Sequence, residues 1–258
     1  MRVALAGVGM IGTSLALDLR ALGHQVWGYD PDPEHLAEAQ AMGALDGGLP
    51  QLAGSFDLIL LAAPPQACLE LVQSPCQAPL WLDVASVKAP IVAAAMARAV
   101  PFVGGHPLAG NAGSGPQAAT AGLFQNRGFA LCPGGGPLTQ AISLVQSLGA
   151  HPFVLSAEVH DREVAASSHV LYLLSAALAR RLAETAPELI GPAAHEWLRL
   201  ASAPAALYQE ILTLNHDAVT VALDDLMAEA RRLVDRGAYE SAEQLAQKIR
   251  ERWESDAG

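Results

Sequence analysis

Val3-Ala4-Leu5-Ala6-Gly7-Val8-Gly9-Met10-Ile11-Gly12 runs an apolar stretch into a Gly-x-Gly-x-x-Gly turn, and Asp30 closes the next apolar run, Gln25–Tyr29. Each residue type has a physical task. Gly7 permits the tight turn, Gly9 lets the backbone approach a pyrophosphate, and Gly12 lets the following helix lie close to the strand. The start of that helix, at Met10 and Ile11, offers unpaired N–H groups and the positive end of the helix dipole to phosphate. Asp30 stands where a carboxylate accepts the ribose hydroxyls of an adenosine. The reading is a strand–turn–helix–strand unit that binds a dinucleotide. Asp30 repels a 2′-phosphate, and Pro31-Asp32-Pro33-Glu34 brings no arginine to bind one, so NAD is expected over NADP.

Outward from this unit, apolar runs alternate with helical patterns. Strands are expected at Arg2–Ala6, Gln25–Tyr29, Leu58–Ala62, Leu80–Asp83, Phe102–Gly104, Phe129–Cys132 and Pro152–Leu155. Helices are expected at Met10–Leu22, Pro33–Met42, Pro65–Val72, Pro90–Ala99 and Leu138–Leu148. Such alternation builds a parallel sheet covered on both faces. After Ser156 glycine becomes scarce, and four helices are expected: Ala157 to Glu184, Pro187 to Ala201, Pro204 to Arg236 and Tyr239 to Glu254. The fold class is therefore α/β: a Rossmann-type doubly wound parallel sheet over residues 1–155, followed by an all-α domain over 156–258 for substrate and dimerisation. The first helix of that domain is apolar around much of its circumference, and a partner subunit is its expected cover. A homodimer through the helical domain follows.

The net charge of −11 argues against nucleic acid or an anionic membrane as partner, while a small anionic substrate stays compatible with a locally basic pocket. Cys68, Cys76 and Cys132 lack metal-ligand spacing and read as reduced thiols in a cytoplasmic protein, with no metal site. The opening residues read as the first strand rather than as a signal peptide, and no apolar run reaches transmembrane length. Lys88 and Lys248 are the only lysines, which limits any mechanism that needs one.

In open α/β sheets ligands bind beyond the carboxyl ends of the strands. Besides the glycine turn, three segments fall there. In Leu61-Ala62-Ala63-Pro64-Pro65, small residues at Ala63 and Pro64 would let the middle of a cofactor pass the backbone, and an ordinary turn accounts for them equally well. In Asp83-Val84-Ala85-Ser86-Val87-Lys88, Ser86 has the chemistry to bond a substrate hydroxyl or the nicotinamide, but spacing alone favours an N-cap serine beside a solvated lysine. In Gly104-Gly105-His106-Pro107-Leu108-Ala109-Gly110, His106 stands among small residues at a strand end, and an imidazole with its ordinary pKa near 6.5 takes up a proton at cellular pH. The helical half adds His160-Asp161, Ser168-His169 and Arg199. A Ser-His pair in an apolar helix costs free energy unless it is satisfied or used, and an arginine among apolar residues suits a carboxylate.

In this order, the glycine turn, Asp83–Lys88, Gly105-His106-Pro107-Leu108-Ala109-Gly110, His160-Asp161 with Ser168-His169, and Leu198-Arg199-Leu200-Ala201-Ser202 with Ile211-Leu212 and Asn215, the chain resembles the TyrA family of prephenate and arogenate dehydrogenases over nearly its whole length. The resemblance implies NAD-dependent oxidative decarboxylation of prephenate or arogenate in tyrosine biosynthesis. It implies that His106 accepts the proton of the ring hydroxyl as hydride leaves for the nicotinamide. Ser86 would orient that hydroxyl or His106, Arg199 would hold a carboxylate, and Ser168 and His169 would lie at the substrate. Two positions depart from the family's common pattern: Ala112 replaces an acid, and Tyr172 replaces a second histidine. Both bear on the choice between prephenate and arogenate. Two rival readings are a β-hydroxyacid dehydrogenase, which needs a lysine absent between Lys88 and Lys248, and a non-catalytic NAD-sensing protein.

Overall fold

The strand β1 (Arg2–Ala6) shows why the sheet is covered on both faces. Val3 and Leu5 point into one apolar cluster and Ala4 and Ala6 into another, all four at 0% exposure. The same alternation holds in β5 (Leu58–Leu61), where Leu58 and Leu60 enter the first cluster and Ile59 and Leu61 the second. Strands that are apolar at every position belong in a sheet sandwiched between helices.

The computed structural model describes residues 1–110, 113–237 and 239–257. Its remaining strands are β2 (Gln25–Tyr29), β3 (Gly47–Gly48), β4 (Gly54–Ser55), β6 (Cys76–Gln77), β7 (Trp81–Asp83), β8 (Phe102–Pro107), β9 (Gly128–Gly134) and β10 (His151–Val154). Eight of these form one sheet in the order β10-β9-β8-β7-β5-β1-β2-β3, and β4 pairs with β6 apart from it. The helices α1 (Met10–Ala21), α2 (Pro33–Ala41), α3 (Pro65–Leu71), α4 (Ala89–Ala97) and α5 (Leu138–Ser147) belong to the same half. The chain leaves β1 in one direction to β2 and later fills the other side from β5 onward. The strand order therefore reverses between β1 and β5, which is where a doubly wound sheet opens a crevice.

The sheet is not parallel throughout. β8 runs three residues beyond its expected end and pairs antiparallel with β9, from Val103 opposite Pro133 to Pro107 opposite Phe129. Gly104, Gly105, His106 and Pro107 are poor strand formers, and a backbone ladder with a partner distant in sequence imposes the conformation on them.

The helical half departs from expectation at its joints. The first expected helix is α6 (Ala157–Val164), a π-helical turn at Ala165–His169 and α7 (Val170–Leu182). The expected Pro187–Ala201 element is a 3-10 turn, Pro187–Leu189, followed by α8 (Pro192–Ala201). The long expected helix from Pro204 is α9 (Ala205–Leu214) and α10 (His216–Arg236), divided at Asn215, and α11 (Tyr239–Ala257) follows. Asn215 has φ −114° and ψ 26°, outside the helical well, and its amide is 3.2 Å from Nδ1 of buried His169. Asparagine readily exchanges a helical conformation for such a side-chain bond.

The chain divides into two compact units, Met1–Asp161 with Gln209–Leu214, and Arg162–Tyr208 with the residues from Asn215 onward. No described helix is long and apolar enough to cross a membrane.

Candidate active site

The glycine turn has the geometry its spacing implies. Gly7 adopts φ +90°, and a Cβ there would meet the Ala62 carbonyl oxygen at 2.4 Å. A Cβ on Gly12 would come within 2.0 Å of the Gly7 carbonyl oxygen. Both glycines are therefore demanded by contacts within the fold. Gly9 is different: a Cβ there would meet nothing within 4 Å. Gly9 is also the N-cap of α1, with no side-chain cap and no acid in the first turn. This is a bare helix N-terminus with open space over its glycine, which suits a pyrophosphate. Gly9→Ala is expected to leave the thermal midpoint unchanged and to weaken NAD binding roughly tenfold or more, equivalent to about 1.4 kcal/mol, in a calorimetric titration.

Asp30, expected only as a ribose ligand, also holds the turn. Its Oδ2 accepts the Val8 N–H at 2.9 Å and its Oδ1 accepts the Asp32 N–H at 2.9 Å. A carboxylate has about four acceptor positions, so both oxygens retain capacity for ribose hydroxyls. These features of Gly7, Gly9, Met10, Ile11, Gly12 and Asp30 are compatible with NAD. Ala63 and Pro64 follow β5 against Gly7, whose Cβ would stand 2.9 Å from the Ala63 nitrogen. Pro64 is the N-cap of α3, so these residues also serve as a strand–helix turn.

One cavity, of about 390 Å³, is lined by Met1, His24, Leu58 and Leu80 among others. It lies at the amino ends of the strands and contains none of the candidate residues.

The segment after β7 overturns the favoured spacing argument. Lys88 is 0% exposed rather than solvated, and Ser86 does not cap α4. The Lys88 ammonium pairs with the Asp83 carboxylate, also 0% exposed, and donates to the Gly105 carbonyl at 2.7 Å. Asp83 Oδ1 accepts the Gly105 N–H at 2.9 Å. The pair thus grips both polar groups of the peptide residue that precedes His106. Full burial pushes the Asp83 carboxyl above its ordinary range, and the Lys88 ammonium with the N–H groups of Gly105 and Ala85 pulls it back. Ser86 is half-buried beside this pair.

The N-terminus of α4 is capped from far along the chain. Asp161 Oδ1 accepts the Lys88 N–H at 2.7 Å and Oδ2 accepts the Ala89 N–H at 2.8 Å. Asp161 Oδ1 lies 2.8 Å from His160 Nδ1, and His160 Nε2 lies 2.9 Å from His106 Nδ1. His106 is half-buried near the end of β8. The loop beyond it returns toward the glycine turn, since a Cβ on Gly110 would stand 3.9 Å from the Met10 methyl carbon. The glycine turn, Ala63, Ser86 and His106 thus follow or end strands β1, β5, β7 and β8, which are successive in the sheet. Sequence reasoning singled out the His160-Asp161 dipeptide but not its bond to His106, which crosses more than fifty positions.

In the second unit, His169 is 1% exposed, within the π-turn. Ser168 is exposed and hydrogen-bonds the Tyr208 hydroxyl, whose pKa burial pushes up. The Tyr172 ring stacks on Tyr208 with centroids 3.6 Å apart and planes 9° off parallel. Tyr172 is therefore a packed ring at that position. Arg199 lies in the last turn of α8 and is exposed, not enclosed by its apolar neighbours. Ala112 lies outside the described residues. Among the described residues, no group of three or more His, Cys, Asp or Glu side chains is placed to hold a metal ion.

A bare glycine turn, an acid just after β2 and an imidazole near the end of β8 in the same sheet are the features of a dinucleotide-dependent dehydrogenase. Residues 15–153 match the family described as prephenate dehydrogenase, nucleotide-binding domain, and residues 156–251 match prephenate dehydrogenase, dimerization domain. The chain therefore belongs to the prephenate dehydrogenase family. The probable prephenate dehydrogenase NovF of Streptomyces niveus is 35% identical over 264 residues, spanning 96% of this chain and 72% of NovF. The prephenate dehydrogenase of A. aeolicus, solved with hydroxyphenyl propionate and NAD+, superposes with a TM-score of 0.83 at 24% identity, over 97% of this chain and 95% of that one. The arogenate dehydrogenase of Synechocystis gives a TM-score of 0.77 at 25% identity, covering 99% of each chain.

Proposed function

We propose that this protein catalyses the NAD-dependent oxidative decarboxylation of prephenate or arogenate, yielding 4-hydroxyphenylpyruvate or tyrosine in tyrosine biosynthesis. The observation that carries the reading is His106, near the end of β8, whose following loop returns toward the glycine turn at Met10, with Nδ1 engaged by His160 at 2.9 Å. NAD+, when bound, supplies the two-electron acceptor for the ring carbon that bears the hydroxyl. His106 takes the hydroxyl proton as carbonyl character develops at that carbon. Loss of CO₂ from the ring then restores aromaticity, and His106 returns the proton to the phenolic oxygen. The net reaction needs no further acid or base. Ser86, half-buried on the neighbouring segment, orients the hydroxyl or His106. Positioning and electrostatic compensation for the departing proton supply the catalysis.

Arg199, with Ser168 and His169, is assigned to the substrate. Its exposure in the last turn of α8 leaves a planar guanidinium accessible to a carboxylate. A homodimer through the helical half is supported by the apolar side chains exposed there, including Leu189 at 78%, Val234 at 75%, Ile249 at 67% and Trp197 at 50%. The cysteines are all unpaired, in keeping with a reducing cytoplasm.

The test is NADH absorbance with prephenate and with arogenate, each under NAD+ and NADP+. Turnover with at least one substrate under NAD+ is expected, and silence in all four mixtures would sink the proposal. In the active mixture, Arg199→Ala is expected to raise the substrate KM about 10- to 100-fold, the loss of a charged hydrogen-bond pair. The KM for NAD+ is expected to stay in place.

A further inference from the structure

We propose that His160 and Asp161 are positioning residues that fix the tautomer of His106, so that its Nε2 is the nitrogen that accepts the substrate proton. The inference rests on the function proposed above and extends it to groups that do not touch the substrate. Asp161 Oδ1 and Oδ2 accept backbone N–H bonds from Lys88 and Ala89 at the start of α4, so both oxygens act as acceptors. The hydrogen between Asp161 Oδ1 and His160 Nδ1, 2.8 Å apart, is therefore assigned to His160 Nδ1. In neutral His160 the other nitrogen, Nε2, then carries a lone pair. Across the 2.9 Å contact His106 Nδ1 is therefore the donor, and the lone pair of His106 is on Nε2.

The arrangement closes on itself. Asp161 holds the Lys88 backbone, the Lys88 ammonium holds the Gly105 carbonyl, Gly105 precedes His106, and His106 returns through His160 to Asp161. His160 and Asp161 are 2% and 5% exposed, and the two imidazoles meet edge to face with centroids 5.0 Å apart. The ring orientation of His106 is thus determined from both its backbone and its side chain. Among the described residues, the charged and titratable groups set around His106 include His160 and Asp161 from α6, and the Asp83–Lys88 pair acting through the Gly105 backbone from β7 and the start of α4. Asp83 and Lys88 offset one another. Asp161 places a carboxylate at the far end of the contact that begins at His106 Nδ1.

The test compares the full-length protein with His160→Leu and His160→Gln. In the wild type, nitrogen-15 histidine NMR without substrate or cofactor is expected to show His106 in the Nδ1–H form. The Nε2–H form there overturns the inference. His160→Leu is expected to lower kcat by about 10- to 100-fold, a milder version of the wrong-tautomer penalty of catalytic triads, with the KM for NAD+ unchanged. His160→Gln retains an acceptor for the Nδ1–H and is expected to recover most of that rate. In both variants the acid limb of the kcat–pH profile is expected to move to lower pH, because His106 loses its link to the carboxylate. Wild-type kcat and an unmoved limb in folded His160→Leu overturn the inference, as does equal impairment of the two variants with the limb in place. If His160→Leu fails to fold, His160→Gln decides: a displaced limb supports the relay and an unmoved one overturns it. A wild type that reduces NAD+ with neither substrate removes the proposed function and this inference together. An active wild type with indifferent variants removes the inference alone.

Discussion

His106→Asn is expected to lower kcat by about 10²- to 10⁴-fold, the range for loss of a positioned general base, while NAD binding and the thermal midpoint stay close to wild type. The expectation follows from where the ring is attached. The backbone of β8 at this point is held by its ladder to β9 and by the Asp83–Lys88 grip on Gly105, none of which uses the imidazole. Asparagine retains an amide that can donate toward His160 but has no group that takes up a proton near neutral pH. The measurement is steady-state turnover beside a calorimetric NAD titration. Retained turnover with unchanged pH dependence would place the base elsewhere; loss of NAD binding together with turnover would point to collapse of the rim.

The second large effect concerns stability. Lys88→Met is expected to destabilise the fold by about 3–5 kcal/mol, because the change leaves a buried carboxylate without its cation. Asp83 and Lys88 are both 0% exposed, and the ammonium also satisfies the Gly105 carbonyl. Adding Asp83→Leu in the same protein is expected to recover much of the loss, since replacing both partners of a buried ion pair by apolar groups is often close to neutral. Urea denaturation of the two single variants and the double variant measures the coupling. A single Lys88→Met variant as stable as wild type would mean that Asp83 is neutral in the folded state.

What was legible in the sequence is what local chemistry decides. β1 and β2 have the bounds their apolar alternation and the glycine spacing indicate, because a strand–turn–helix unit with those glycines has few other ways to fold. The Asp30 acid, the rim position of His106 and the helical second half were legible for the same reason. The features that escaped depend on partners remote in sequence. Lys88 looks like an ordinary solvated lysine until its partners, Asp83 five residues earlier and Gly105 seventeen later, fold around it. The cap of α4 is a carboxylate more than seventy residues downstream, which displaced the neighbouring Ser86 from that role. The antiparallel turn of β8 against β9 leaves no mark on composition, and the break at Asn215 is fixed by a bond to His169 forty-six positions back.

The carboxylate that caps α4 has a consequence for how the chain can be divided. The whole nucleotide-binding sheet, through β10 at Val154, precedes residue 161 in the chain. A fragment ending before that residue has every strand of the sheet, yet its His106 imidazole lacks the contact to His160. Cofactor recognition and chemical competence would thus be separable, and a fragment severed at residue 155 is expected to be a binder without turnover.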